Sequence, residues 1–209
     1  MTTRVPDEHF EGMYAHSNDP WGLAHSWYEH RRHAIILALL PYQHYRHAFE
    51  PGCSVGVLTE RLTYRCHRVT ATDVATAALD GASRRLRAGG RREQVTLVRR
   101  SIDETWPPGP FDLVVLSEVC YYLHADMLRA VLDRECPRLA PGATVIASHW
   151  RHPMPDYPMS GDHANDIVAA TPGLHMIGSY RDADVAIEVF DTATADSVAD
   201  RSRVPGTSQ

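Results

Sequence analysis

The sequence predicts a three-layer α/β domain built on a mainly parallel sheet, and three observations carry that. Short apolar, strand-like runs alternate with helical patterns between residues 47 and 148, an alternation that gives a parallel sheet covered by helices on both faces. Residues 111–117, Phe-Asp-Leu-Val-Val-Leu-Ser, are apolar enough for a strand buried on both sides. Residues 48–62 read as the end of a strand, a small-residue turn and the start of a helix, with Gly52 and Gly56 in the turn. Glycine has no Cβ and tolerates unusual φ, so such a turn lets a ligand lie directly against the backbone.

The elements follow in order. Residues 1–20 are polar and interrupted by Pro6, Gly12 and Asn18-Asp19-Pro20, which predicts a loose start with one helical turn near residues 10–14. Ser26 is the expected N-cap of the next helix, with Glu29 as its capping-box partner; Ile35, Ile36, Leu39 and Leu40 recur at helical spacing and Pro41 ends the run. Strands are expected at 47–50, 68–73, 94–99, 111–117 and 143–148, and helices at 57–63, 75–86 and 126–136. The last of these helices carries Leu128, Val131 and Leu132 on one face, and a turn at 139–142 follows it. The three prolines of residues 151–161 predict a loop longer than the usual strand-to-helix connection. A helix at 162–170 and two strands at 173–180 and 184–191 complete the pattern, and the link 181–183 is so short that it favours an antiparallel pair. Residues 1–197 are expected to form one domain, with residues of about 8–40 as a helical lid, and the polar residues 198–209 are expected to be disordered.

Bulk properties narrow the function classes. A chain of 209 residues is long enough for a full core. A net charge of −5 leaves no basic footprint for nucleic acid, and the Arg-rich stretch 84–92 reads as a solvated helix end. Cys53, Cys66, Cys120 and Cys136 form no Cys-x-x-Cys pair, which argues against a zinc ribbon or a disulfide framework and suits a reducing cytoplasm. No apolar signal-peptide core follows Met1, and the longest apolar run, 34–40, is far too short to span a bilayer.

The turn at 50–56 admits several readings. The plainest is a tight strand-to-helix connection that binds nothing. A dinucleotide site needs G-x-G-x-x-G, but here Ser54 takes the second glycine's place and the third is missing. Gly52-Cys-Ser54-Val-Gly56 also matches the G-x-S-x-G of a hydrolase nucleophile elbow. Histidines are plentiful, yet the elbow would come after a single strand and would leave Glu50 without a role. The third ligand is S-adenosylmethionine, which has no pyrophosphate and so needs no third glycine. It needs an acid at the end of the second strand for the ribose hydroxyls, and Asp73 stands there, where it also fits as the N-cap of residues 74–79. Ser117, Glu118 and Val119, after the fourth strand, then fall beside the methionine half and the methyl group.

Taken together, residues 50–56, Asp73, 111–119 and 139–142 resemble the class I S-adenosylmethionine-dependent methyltransferases. Asp19-Pro-Trp21, Ser26-Trp-Tyr-Glu29, Arg32-His33, Cys66-His-Arg68 and residues 117–123 narrow the resemblance to the rhizobial nodulation N-methyltransferase (NodS-like) family. It runs from about residue 19 to 142 and stops beyond 148. It implies a Rossmann-like sheet of seven strands, mostly parallel with the last antiparallel. It also implies methyl transfer to the amine of a glucosamine in a chitin-type oligosaccharide or a related small polar natural product, leaving S-adenosylhomocysteine. The alternatives are O-methylation of a sugar or secondary metabolite, hydrolysis through Ser54, and a binding module that keeps the fold without the chemistry.

Site residues follow from both lines. Gly52, Ser54 and Gly56 would present backbone to the methionine half, Glu50 would meet its amino group, and Asp73 with Val74 would hold the ribose. Ser101, Ile102 and Asp103 would bracket the adenine; by the resemblance this is the adenine segment, but Ile102 stands where the family carries an acid. Trp21, Trp27, Tyr28 and Arg32 form either a lid, with Arg32 on the cofactor carboxylate, or the packed face of an amphipathic helix. Methylation calls for a base near the methyl group. Glu118 is the first candidate, or else a carboxylate that binds without proton transfer; Ser117 lies beside it, and Tyr121 and Tyr122 would line the pocket. His149, His152 and His163 are further candidates, because histidine titrates near neutral pH. Histidine pairs at 30/33, 44/47 and 149/152 lack further ligands, so no metal is expected.

Overall fold

The computed structural model describes residues 4–206. Seven strands form one sheet: β1 (Tyr45–Pro51), β2 (Cys66–Asp73), β3 (Val95–Arg99), β4 (Leu113–Ser117), β5 (Thr144–Trp150), β6 (His175–Arg181) and β7 (Val185–Asp191), in the order β3-β2-β1-β4-β5-β7-β6. The pairs β1/β2, β2/β3, β1/β4 and β4/β5 are parallel, whereas β7 runs antiparallel to both β5 and β6. This is the Rossmann-like class I methyltransferase arrangement, with β7 as the one reversed strand.

Alternation along the central strands builds the layers. In β4, Leu113 and Val115 pack to one side with Ile36 of α2 (Trp27–Leu39), Leu58 and Leu62 of α3 (Val57–Leu62) and Leu86 of α4 (Thr76–Ala88). Val114 and Leu116 pack to the other with Leu128, Val131 and Leu132 of α5 (Ala125–Glu135) and Ile167 and Val168 of α6 (Gly161–Ala169). The sheet is therefore apolar on both faces, which is why residues 113–116 carry no polar side chain.

Chain order fixes where a ligand belongs. The strands step outward from β1 to β3 and then return to β4 on the other side of β1. The crevice at the carboxyl ends of β1 and β4 is the topological switch point, the usual ligand site of such sheets.

Three local expectations are corrected. The N-terminal segment is not one turn but a ten-residue helix, α1 (Asp7–His16), whose Phe10 and Tyr14 are buried against Val55, Val57, Ala75 and Ala78. Ser26 does cap α2, accepting from the Glu29 N–H at 3.5 Å, but the Glu29 carboxylate turns to Arg32 instead of closing the box. In the tail, Ser197 caps a single helical turn, α7 (Val198–Arg201), where disorder was expected. Arg201 anchors it, with Nη1 2.6 Å from the buried Asp191 carboxylate and 2.5 Å from the Tyr42 hydroxyl. The rest of the expected disordered tail, residues 207–209, lies outside the described residues.

Candidate active site

A cavity of about 340 Å³ opens over the carboxyl ends of the strands, within the size range of small-ligand sites. Its floor is the turn after β1. Gly52 and Ser54 both have positive φ, 72° and 51°; at Gly52 a Cβ would stand 3.0 Å from the Val119 side chain. Glu50 is buried at the end of β1 and accepts from the Thr59 hydroxyl at 2.6 Å. Burial, with the charge of Asp73 adding, pushes its pKa up to about 8.

Asp73 closes β2. Its two oxygens accept from the Ser54 N–H at 2.9 Å and the Ala75 N–H at 3.0 Å, so one carboxylate ties the β1 turn to the start of α4. Burial raises its pKa to about 6 against these backbone donors. Val74, Ser101 and Ile102 continue the wall on this side.

The opposite end of the cavity is built on β4 and β5. Glu118 adopts φ 55°, in the left-handed region. One of its oxygens, Oε2, accepts from the Tyr121 hydroxyl at 2.5 Å and the Trp150 N–H at 3.0 Å. The other, Oε1, is buried without a hydrogen bond and lies 3.5 Å from Arg32 Nη1. Arg32 is fully buried and bonds Glu29 at 2.6 Å, Ser117 Oγ at 2.6 Å and Ser148 Oγ at 3.3 Å. Its donors are thus committed to the protein and not held ready for a cofactor carboxylate. His33 behind it stays neutral, because burial beside Arg32 pushes its pKa down to about 2.

Aromatic rings surround Glu118. Tyr157 stacks on Tyr121 at 5.4 Å and meets Tyr122 edge-on at 4.8 Å. Tyr28 meets Trp150 edge-on at 5.2 Å, and its buried hydroxyl has no hydrogen-bond partner. The N-terminal segment covers the cavity: the Val5 N–H donates to Tyr122 O at 2.9 Å, and Tyr14 bonds Ser54 Oγ at 2.5 Å.

Most of the expected residues meet here. Glu50, Gly52, Ser54, Asp73, Val74, Ser101, Ile102, Ser117, Glu118, Tyr122, Trp21 and Arg32 all line the cavity. Four do not. Trp27 is 76% exposed on the outer face of α2, where its neighbour Tyr28 points inward. Gly56 supports α4 instead: a Cβ there would come within 2.8 Å of Ala82 Cβ. Asp103 stands behind the wall, accepting from two residues that line it, Arg4 at 3.1 Å and Ser101. His149 is 0% exposed and bonded to Asn165 at 2.6 Å, so it is no base for this cavity. The nucleophile-elbow reading fails on geometry too. Ser54 has the positive φ of an elbow, but its hydroxyl is bonded to Tyr14, and among the described residues no histidine bonds it. Among the described residues no cluster of three His, Cys, Asp or Glu is placed to hold a metal.

Among the residues not foreseen in the cavity wall are Arg4, Val5, Phe10, Trp150, Met154 and Tyr157. The spacing of Phe10 and Tyr14, one helical turn apart, carried the signal for α1. Tyr157, in a proline-rich loop, carried none.

The family model described as Nodulation protein S (NodS) matches residues 13–155, more than half of the chain. The chain belongs to the NodS family. The match contains β1 to β5 and every cavity residue except Arg4, Val5, Phe10 and Tyr157, and so reaches further at both ends than the motifs alone. Nodulation protein S of Rhizobium tropici is 35% identical over 133 residues, covering 62% of this chain and 54% of that protein. The Sinorhizobium fredii protein is 28% identical over 146 residues, covering 69% and 66%. The chain thus spans less than two thirds of the length of these curated NodS relatives. The crystal structure of N-methyltransferase NodS from Bradyrhizobium japonicum, in complex with S-adenosyl-L-homocysteine, aligns with a TM-score of 0.75 at 26% identity, over 88% of this chain and 96% of that one.

Proposed function

We propose that this chain is an S-adenosylmethionine-dependent N-methyltransferase. Its acceptor is the amine of an amino sugar, of the deacetylated chitooligosaccharide type, or a related small polar natural product. The observation that carries this reading is one cavity with two buried carboxylates, Glu50 and Asp73, at the ends of adjacent strands and a third, Glu118, with an unbonded oxygen across from them. The set fits the donor: a carboxylate for an ammonium, a carboxylate for vicinal hydroxyls, and apolar walls for a base.

When bound, S-adenosylmethionine supplies an electrophilic methyl on a sulfonium whose departure leaves a neutral thioether, so the protein's work is chiefly orientation. Glu50 would meet the amino group, and the Gly52–Ser54 backbone would lie along the methionine half. Asp73 would accept from the ribose, while Val74, Ser101 and Ile102 would bracket the adenine. Glu118 Oε1 accepts an N–H of the acceptor amine, steers its lone pair and takes the proton released by methylation. Arg32 acts through Glu118 and Ser117 by fixing both. Tyr28, Tyr121, Trp150 and Tyr157 give the acceptor flat apolar faces with hydroxyl edges, a surface suited to a sugar ring. Tyr122 packs these rings against Phe10, at 4.8 Å. Residues 4–26, Trp21 included, act as the lid that excludes water. Four free cysteines suit a reducing cytoplasm, and no helix of the described residues is long and apolar enough to cross a membrane.

The test is an acceptor panel with methyl-labelled S-adenosylmethionine, read by mass spectrometry. Label is expected on deacetylated chitooligosaccharide and absent from its fully N-acetylated counterpart. Turnover confined to non-sugar acceptors would replace the acceptor and leave the donor chemistry. No turnover together with no affinity for S-adenosylhomocysteine would end the enzymatic reading.

A further inference from the structure

We infer that His149, although it never reaches the cavity, is a positioning residue for methyl transfer: through the backbone N–H of Cys120 it fixes the turn that carries Glu118 and Tyr121. The inference rests on the methyl-transfer reading above.

The hydrogen-bond chain is complete and has one direction. The Cys120 N–H donates to His149 Nε2 at 3.2 Å. The other ring nitrogen, Nδ1, pairs with Asn165 Oδ1 at 2.6 Å, and Asn165 Nδ2 donates to the Ala186 carbonyl at 3.3 Å. An N–H donor on one side and a carbonyl-type acceptor on the other require the neutral tautomer with its proton on Nδ1. Burial supports this by pushing the His149 pKa down to about 4. The chain joins the turn after β4, the end of β5, α6 and β7 in one row.

What the row holds is the catalytic end of the cavity. Residues Cys120–Tyr122 form a single 3-10 turn one residue beyond Glu118, whose positive φ must be imposed by its surroundings. Glu118 N–H donates to Ser148 O at 2.9 Å on one side of His149, and the Trp150 N–H donates to Glu118 Oε2 at 3.0 Å on the other. His149 adds the third tie from β5, and its ring meets Tyr121 edge-on at 5.4 Å. Gly161 lets α6 come close enough for Asn165 to join: a Cβ there would stand 2.0 Å from Trp150 O and 2.9 Å from His149 Cβ. Without His149 the Cys120 N–H has no acceptor, and the turn is free to move the Glu118 carboxylate away from the reacting nitrogen.

The experiment compares the full chain with His149→Phe, which keeps the ring volume and removes the acceptor, and His149→Gln, which keeps an acceptor. Leu128→Ala serves as a core variant that lowers stability from the same layer without removing a hydrogen bond of the turn. His149→Phe is expected to lower kcat on the amine acceptor by about 10- to 100-fold, with S-adenosylhomocysteine affinity unchanged, and His149→Gln to restore most of that loss. Hydrogen exchange at the Cys120 amide is expected to be fast in the Phe variant and slow in the Gln variant. If His149→Phe does not fold, Asn165→Leu, which leaves the ring without its anchor, carries the same expectations. Wild-type kcat in these variants, or an equal kcat loss in Leu128→Ala at matched Tm, overturns the inference. Absent methyl transfer in the wild type would instead sink the functional reading, while Cys120 exchange still decides whether His149 holds the turn.

Discussion

At the scale of single residues the proposed function gives the three carboxylates separable tasks. Glu118→Gln keeps the shape but accepts a proton far less readily. Steady-state kinetics should show kcat down by about 10²- to 10⁴-fold with donor affinity retained; an unchanged kcat would leave Glu118 as a mere binding group. Asp73→Asn removes a charged acceptor, so S-adenosylhomocysteine affinity measured by calorimetry should fall by about 10- to 100-fold. Glu50 gives a pH signature. Its pKa of about 8 in the free protein means it is mostly protonated at neutral pH, and a cationic amino group seated beside it favours the ionised form. Binding should therefore release close to one proton at about pH 7, where an α-ammonium is still charged, and donor affinity should weaken as pH falls below 8. Calorimetry in buffers of different ionisation enthalpy reads this directly, and Glu50→Gln should abolish it. Asp73, with its pKa near 6, is already ionised in that window. Sequence reasoning found these residues because each lies at or just beyond a strand end, where apolar alternation gives way to an acid. It misplaced Trp27 because successive helical residues point about 100° apart, so only one of Trp27 and Tyr28 can face inward. It misread His149 because successive strand residues face opposite sides: Trp150 lines the cavity and His149 lies in the core.

At the scale of elements, the fit of α3 against α4 depends on Gly56. It sits at φ 74° with Ala82 where a Cβ would go. Gly56→Ala should destabilise the fold by about 1–3 kcal/mol, seen as a lowered Tm. Donor affinity of the folded fraction should stay close to wild type, since Gly56 does not line the cavity; a large affinity loss without a Tm change would return Gly56 to the binding site. The helices over β1, β2 and β4 were legible from apolar periodicity, with a capping side chain only at Ser26 of α2. The full length of α1 was obscured by Gly12 within it and by the polar residues around Phe10 and Tyr14, which are buried through tertiary contacts with residues of the β1 turn, α3 and α4 and with Trp21 and Tyr122. The loop that brings in Tyr157 has no period to read, and its place follows from Ser160 capping α6 at 3.2 Å from the His163 N–H.

At the scale of the whole molecule, connection lengths and alternation gave the strand directions, and the order of the strands came with the fold. Long helical crossovers force parallel neighbours, while the three residues between β6 and β7 force a reversal, and the site then falls at the switch point between β1 and β4. The donor half of the cavity was legible because two strand ends and a glycine turn define it locally. The acceptor half was not, since it assembles from α2, the β5 end and the proline-rich loop, which only the tertiary fold brings together.

The most direct measurement is a crystal structure of the chain with S-adenosylhomocysteine and a deacetylated chitooligosaccharide. The ribose hydroxyls are expected on Asp73, the amino group on Glu50, and the sugar amine within hydrogen-bond distance of Glu118 Oε1. A sugar hydroxyl or an acetamide in the amine's place, or a nucleoside that avoids Asp73, would contradict it.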